Sequence, residues 1–506
     1  MELMILISLS LTTLLAFIFL KSLFKRTTTI SELNPPPSPW RLPVIGNLHQ
    51  LSLHPHRAFH RLSLRYGPLM LLHFGCVPVL VVSSADVAHD VMKTHDLKFA
   101  NRPKTKAVDI IMNGGRDVAF SSYGDYWRQM KSLCTVHLLG KQMVKSFENV
   151  RKEEINAMME KLEKATSSSL SVNLSDLLLN MSNNVICKIA MGRKYSREEN
   201  TSDFENQLRK IMELLGAFPV GDYIPSLAWI DKVRGLDRKM EEVSKTFVEF
   251  LERVVQEHVD EGEKKEASDF VDMLLRIQRE KTNGFELDRS DIRLIILDIF
   301  LGGTTTTFTA VDWAMTLLIR YPECMKKLQD EIRKYSRHNL YVSEEEVENM
   351  KYLKAVIKEV LRLHPPGPML IPRQLSQDVK VKGYDISAGT IQVFINAWAI
   401  HRDIRKWGSD AEVFKPERHL DMHLDFQGQD FNFIPFGSGR RLCPAIDFAV
   451  TLIEVALANF VNRFNWRVES RPLGDDDQYY LAETTGIEVC RKFPLIAFPS
   501  SALSTM

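Results

Sequence analysis

The segment Phe436-Gly437-Ser438-Gly439-Arg440-Arg441-Leu442-Cys443-Pro444-Ala445 constrains this chain more than any other. Two glycines let the backbone turn tightly and expose N–H groups beside one side chain, the thiol of Cys443. Pro444 suits a first helical position, which predicts Cys443 at a helix N-terminus whose dipole favours an anion. Such surroundings lower a thiol pKa and make a metal-binding thiolate plausible chemistry. A dinucleotide loop is the competing reading of Gly437-x-Gly439, and it fails because Leu442 stands where the third glycine is required. The other five cysteines (Cys76, Cys134, Cys187, Cys324, Cys490) are scattered, with no CxxC pair to indicate zinc or a redox dithiol. Six in 506 residues is too sparse for a disulfide scaffold and points to a reducing compartment.

A large body must enclose that loop. With 45% hydrophobic and 25% charged residues the chain can bury an extensive core. Its 65 basic and 64 acidic residues leave a net charge of +1, which argues against nucleic acid as a partner. A mean hydropathy of -0.14 excludes a polytopic membrane protein. One stretch stands apart: residues 3–20 carry no charge, and Lys21, Lys25 and Arg26 follow at once. As a helix this stretch is about 27 Å long, close to the hydrocarbon thickness of a bilayer. Only Glu2 precedes it, so it reads as an uncleaved anchor with the remainder of the chain in the cytosol. The expected organisation is a membrane anchor with its basic flank at 1–26, a proline-rich hinge at 27–40 acting as a stiff spacer, and a globular domain at 41–506.

Along that domain, residues 69–83 read as a hairpin and 84–362 as almost wholly helical, with strong helices at 143–164, 239–263 and 291–320. Strand character returns at 380–396, and a last helix runs over 444–463. The expected fold is mainly α with small β-sheets, in one large domain. His56/His60 and His419/His423 lie at helical spacing without a third ligand, and read as surface residues.

The loop pattern Phe-x-x-Gly-x-Arg-x-Cys-x-Gly is matched by Phe436, Gly439, Arg441 and Cys443, and departs only at Ala445. On it the chain resembles the cytochrome P-450 family of haem-thiolate monooxygenases. The resemblance implies haem b (iron protoporphyrin IX) with Cys443 as its proximal iron ligand. It also implies a structural cluster of Glu359, Arg362 and Arg418; Glu359 and Arg362 share a helix face at i, i+3. Trp127, Arg128, Lys131, Arg373 and Arg441 are implied at the haem propionates, with Lys131 standing where the family carries arginine. Gly302-Gly303-Thr304-Thr305-Thr306-Thr307 resembles the oxygen-activation motif on a kinked helix, with Thr306 and Thr305 as catalytic positions. Thr305 stands where the family places an acid. The implied substrate pocket draws on 104–120, 300–306, 367–371 and 484–487, including Gly302, Gly303, Met369, Leu370 and Thr485. Residues 34–51 and 99–103 resemble plant microsomal members of the A-type 71 clan. That implies a single-pass endoplasmic reticulum protein receiving electrons from an NADPH-cytochrome P450 reductase. The expected activity is insertion of one oxygen atom of O₂ into a small apolar molecule of specialised metabolism. A haem-dependent dehydratase or isomerase, for example one dehydrating aldoximes, is the alternative on the same scaffold; a haem sensor or electron carrier is the third.

Overall fold

The computed structural model describes residues 10, 12–17, 33–195, 203–262, 269–281, 286–336, 339–468 and 479–502. Its helices of nine residues or more are α1 Pro55–Tyr66, α2 Asp125–Leu133, α3 Glu148–Ser167, α4 Leu174–Met191, α5 Asp203–Leu215, α6 Leu236–Glu261, α7 Phe270–Glu280, α8 Arg289–Arg320, α9 Pro322–Ser336, α10 Lys351–Leu363 and α11 Ile446–Arg463. The strands are β1 Leu69–Phe74, β2 Val77–Val82, β3 Val172–Asn173, β4 Arg373–Gln374, β5 Val379–Val381, β6 Tyr384–Ile386, β7 Gln392–Ile395, β8 Phe464–Arg467 and β9 Ile496–Ser501. This is the mainly helical architecture with small sheets that the sequence predicts.

Helix α8 organises the body. Asp288 caps it and Asp291 returns the bond, a reciprocal pair that satisfies two of its first N–H groups. Most of its residues are buried, including Ile295, Ile296, Phe300, Val311 and Trp313. It packs on α4 along one side and on α10 and α11 on others. Burial all round explains why it is also the one described helix long and apolar enough to cross a membrane. The glycine pair does not interrupt it: α8 is assigned as continuous helix from Arg289 to Arg320. The pair is tolerated for two separate reasons. A Cβ on Gly303 would lie 2.5 Å from Ile186 Cδ1 of α4, so glycine permits that close approach, whereas a Cβ on Gly302 would meet nothing within 4 Å.

The largest sheet has the order β1-β2-β7-β4, with β2 parallel to β7 and the other neighbours antiparallel. Val79, Leu80, Val81 and Val82 are buried on both faces, which accounts for the unbroken apolar run in that strand. β3, β9 and β8 form a second sheet and β5–β6 a hairpin.

Of the anchor expected at 1–26, only Ser10 and residues 12–17 are described; they are helical, and Leu14, Leu15 and Phe17 are exposed. The rest of it, and the hinge before residue 33, lie outside the described residues. The described part of the hinge does not stand off as a spacer. Asn34 exchanges backbone and side-chain hydrogen bonds with Asp385, its amide donates to Gly383 O, and Leu71 N donates to Pro37 O at 2.9 Å. Proline leaves the segment few donors of its own, so its carbonyls accept from neighbouring strands instead.

Candidate active site

Residues 436–443 close on themselves: Cys443 N donates to Phe436 O at 3.1 Å and Leu442 N to Gly439 O at 3.0 Å. Gly437 and Gly439 have φ of +78° and +70°. At Gly439 space also forbids a side chain, since a Cβ would sit 2.2 Å from Met92 O. Gly439 therefore packs against Met92 and Asp96, away from the cavity where it was expected, and Gly437 lines the cavity instead.

The thiol departs from expectation in two ways. Helix α11 begins at Ile446 with Ala445 as its N-cap, so Cys443 precedes the helix and Pro444 is not its first residue. Burial raises the Cys443 pKa, against the opposing pull of a hydrogen bond from Ala445 N–H and the charge of Lys131. Burial wins because the sulfur sits in a largely apolar part of the wall, among Leu442, Pro444, Ala445 and Phe448. Such a thiol becomes a thiolate when a metal cation supplies the missing charge. Ala445 has φ -103°, an ordinary value for any residue, which is why alanine serves where the resembled pattern has glycine.

Beside this loop lies a cavity of about 360 Å³. Its walls include Phe436, Arg441 and Cys443 from the loop, Gly302, Gly303, Thr306 and Thr307 from α8, Val118–Phe120, Leu370 and Ile371, and Ile487 and Glu488. Most of that lining is apolar. Thr306 Oγ1 bonds Gly302 O within the helix.

Cations gather at one part of the wall. On α2, Trp127 and Lys131 share the inward face at i, i+4, and both line the cavity. Trp127 Nε1 donates to Val118 O at 3.0 Å. Lys131 Nζ donates to the carbonyls of Arg440 and Leu442, and burial, then the charge of Arg441, lowers its pKa to about 8. Arg128, expected at the cofactor, lies about 100° around the helix from Trp127. It is exposed, pairs with Asp125 and covers the Tyr123 ring. Arg373 Nη1 donates to Asp96 Oδ1 at 2.8 Å and Nη2 to Ser438 O at 2.8 Å. Arg441 Nε donates to Ala100 O at 2.7 Å and its guanidinium stacks 4.1 Å from the Trp127 ring centroid. A third guanidinium joins them. Arg102 is buried and lines the cavity, with Nη1 donating to Ile371 O at 2.6 Å and Nε to Ala119 O at 2.8 Å. The sequence reading placed Arg102 only in a clan-specific stretch; between Lys98 and Lys104 it is one cation among several, and nothing local marks it as the one that enters the cavity.

Burial lowers the pKa of all three arginines, and the charge of Arg373 adds to it at Arg102 and Arg441. Asp96 alone pairs with the group through a hydrogen bond among the described residues. Two buried guanidiniums and the partly buried one of Arg441 thus line the cavity with fewer anions than charges. A ligand carrying two carboxylates beside a metal fits this set: the carboxylates complete the arginines and Cys443 offers the sulfur.

Two carboxyls also border the cavity, and the sequence reading missed both. Asp298 on α8 accepts from Val118 N at 2.7 Å and is bonded to Asp117; burial pushes both carboxyls up, Asp117 to about 6, so the pair retains a proton. Glu488 is bonded by Thr305 and Thr309. Thr305 itself does not line the cavity; its hydroxyl points to Glu488. Met369 and Thr485 are also off the cavity. Met369 packs on the core around Phe59 and Met70 while its neighbour Leu370 faces the cavity, and Thr485 is exposed one residue before the turn at Gly486.

Away from the cavity, Glu359, Arg362 and Arg418 converge. Arg362 grips Glu359 with Nε at 2.7 Å and Nη2 at 2.9 Å, and Arg418 Nε donates to Glu359 Oε1 at 2.9 Å. Lys415 N adds a bond at 3.0 Å and His419 Nε2 one at 2.8 Å. His419 is therefore buried, not on the surface, because Glu359 has a lone pair left for it. His56 is buried too, 3.6 Å from Glu483, while His423 is exposed.

A family model, "Cytochrome P450", matches residues 35–490. The chain belongs to the cytochrome P450 family, whose members are haem enzymes of the monooxygenase type. Within that family its relatives are of the plant 71A type. A putative cytochrome P450 71A28 of Arabidopsis thaliana is 77% identical over 99% of this chain and 100% of its own length. An indoleacetaldoxime dehydratase of the same plant is 61% identical over 99% and 100%. Among solved structures, a zebra fish cytochrome P450 with progesterone shares the fold, with a TM-score of 0.76 at 24% identity over 89% of this chain and 100% of that one.

Proposed function

We propose that this chain is an endoplasmic reticulum monooxygenase of specialised metabolism, anchored once by residues 1–26, with residues 41–506 in the cytosol. It inserts one oxygen atom of O₂ into a small apolar molecule, with electrons from NADPH delivered by a membrane-bound cytochrome P450 reductase. Bound haem supplies the redox chemistry at O₂. The carrying observation is one apolar cavity bounded both by the Cys443 loop and by Gly302–Thr307 of α8. In this reading Cys443 would hold the iron. Arg102, Arg373, Arg441 and Lys131 would hold the propionates, and Trp127 and Phe436 belong to the lining that would enclose the group. The apolar walls keep water out, and Gly302 leaves the space that a side chain would fill. Leu14, Leu15 and Phe17 are exposed, as suits a helix seated in lipid.

The test is a screen of apolar compounds for a haem spin-state shift, then measurement of product against NADPH and O₂ consumed. Cys443→Ser should abolish the red-shifted reduced-carbonyl band; a band that persists removes Cys443 from the ligand position. One observation favours a second reading: a relative at 61% identity is named an indoleacetaldoxime dehydratase. Product formed from that aldoxime under argon, with no O₂ consumed, would transfer the assignment to dehydration.

A further inference from the structure

Thr305 occupies the position of an acid in the resembled motif, yet a carboxyl does reach the cavity there, from elsewhere in the chain. Thr305 Oγ1 lies 2.5 Å from Glu488 Oε2, and Thr309 Oγ1 donates to Glu488 Oε1 at 2.9 Å. The two hydroxyls stand at i, i+4 on one face of α8, so they grip the two carboxyl oxygens as a fork. The loop bringing Glu488 is closed at its base. Thr484 N donates to Cys490 O at 2.9 Å, Cys490 N to Thr484 Oγ1 at 3.0 Å, and Val489 N to Pro366 O at 2.9 Å. Gly486 turns at φ +142° and leaves Ile487 and Glu488 on the cavity wall.

No cation pairs with Glu488 among the described residues, and burial pushes its carboxyl up to about 7 although both threonine bonds pull the other way. The titratable groups around it are the Cys490 thiol on its own loop and, next to that thiol, Asp312 of α8, which pairs with Arg491; Asp298 lines another part of the same cavity wall. A carboxyl poised between acid and base at neutral pH is suited to giving a proton away.

We propose that Glu488 is the proton donor of this cavity, held in place by Thr305 and Thr309 as positioning residues. The inference rests on the cavity being the reaction chamber of a haem enzyme, but not on which reaction it runs. Oxygen insertion and aldoxime dehydration both expel one oxygen as water, and that oxygen must gain protons to leave. The O–H bond of Glu488 breaks, the proton goes to the departing oxygen, and the carboxylate regains a proton from water. Dehydration needs this transfer once, and oxygen insertion needs it twice, because both hydrogens of the departing water come from such protons. In the oxygenase the reductase supplies the two electrons. In the dehydration no electrons are needed, and the proton lost from carbon balances the one given to oxygen. A carboxyl contributed from another segment would leave Thr305 free to be a threonine.

The deciding experiment is infrared titration of the haem-loaded protein. The expected result is a protonated-carboxyl band that shifts in D₂O, titrates near neutral pH and vanishes in Glu488→Gln. Thr309→Val should move its midpoint upward, because a bond favouring the carboxylate is lost; this holds even where Glu488→Gln loads haem poorly. No such band at pH 6, or a midpoint indifferent to Thr309→Val, overturns the proposal. In turnover of the compound found by spin-state screening, Glu488→Gln should lower the rate by about 10²–10⁴-fold with haem content and the reduced-carbonyl band unchanged. Undiminished turnover in that variant also overturns it. Wild type that makes no product in air or under argon defeats the reading of the chamber, while the infrared titration still decides where the proton sits.

Discussion

Two buried groups of arginines in this protein look alike in composition and differ in bookkeeping of charge. Around Glu359, two guanidiniums and an imidazole share one carboxylate whose oxygens are saturated by five donors, all from the chain itself. Around Arg441, three guanidiniums hold mostly carbonyl oxygens, and each carries charge that burial disfavours. The first group is complete without a ligand. The second is complete only with anions from outside. A buried cation with its valence met is architecture, and one with valence to spare is a binding site; burial alone does not tell them apart.

The sharpest way to break the contrast is to remove Glu359. Glu359→Gln leaves Arg362 and Arg418 buried without their counter-charge, and should cost about 3–5 kcal/mol, read as loss of soluble folded protein or a large fall in unfolding midpoint. Arg441→Met should do the opposite in kind. Freed carbonyls at Ala100 and Ser121 cost about 1–3 kcal/mol, and relief of repulsion from Arg373 offsets part of it. Its main effect should be faster haem loss, measured by transfer to a haem-accepting protein. Equal destabilisation of the haem-free forms of both variants would remove the distinction.

Acid titration sharpens it further. The donors around Glu359 hold its carboxyl down at about 2, below an ordinary value of 4.5. A depressed carboxyl contributes stability that is present above pH 4.5 and is lost as pH falls from there towards 2. Arg441→Met should keep this acid limb, and Glu359→Gln should flatten it, in unfolding midpoints followed from pH 5 downward. The smallest effect is expected next door: Arg440 is about half exposed, so Arg440→Ala should change stability by under about 0.5 kcal/mol and leave haem retention alone.

The residues themselves show which parts were legible. Glu359 and Arg362 sit three apart on one helix, so their pairing is local and could be read; His419 joins them only because the chain returns there in space. Trp127 and Lys131 were legible as one helical face, and the same periodicity should have turned Arg128 outward. Helix α8 was read to within two residues because a long apolar run leaves little choice. The vacancy at Thr305 was visible in the motif, whereas its partner lies 183 residues further on, and no spacing rule connects the two. Arg102 was hidden for a similar reason: only the folded cavity brings it beside Arg373 and Arg441. Met369 sits in a turn beside Leu370, and Thr485 precedes the turn at Gly486 that brings Ile487 and Glu488 to the wall; turns follow no fixed side-chain period, so the sequence could not say which neighbour faces inward.

The bonds from Asn34 to Asp385 and Gly383, and from Leu71 to Pro37, have a mechanical consequence. They seat the leading strip of the chain on the β5–β6 hairpin and the edge of β1, so the body cannot swivel freely about residue 33. A pull on the chain ahead of that point reaches the body through residues 34–37. A force applied there is borne first by a few surface bonds to one hairpin, which act as a clutch ahead of the core.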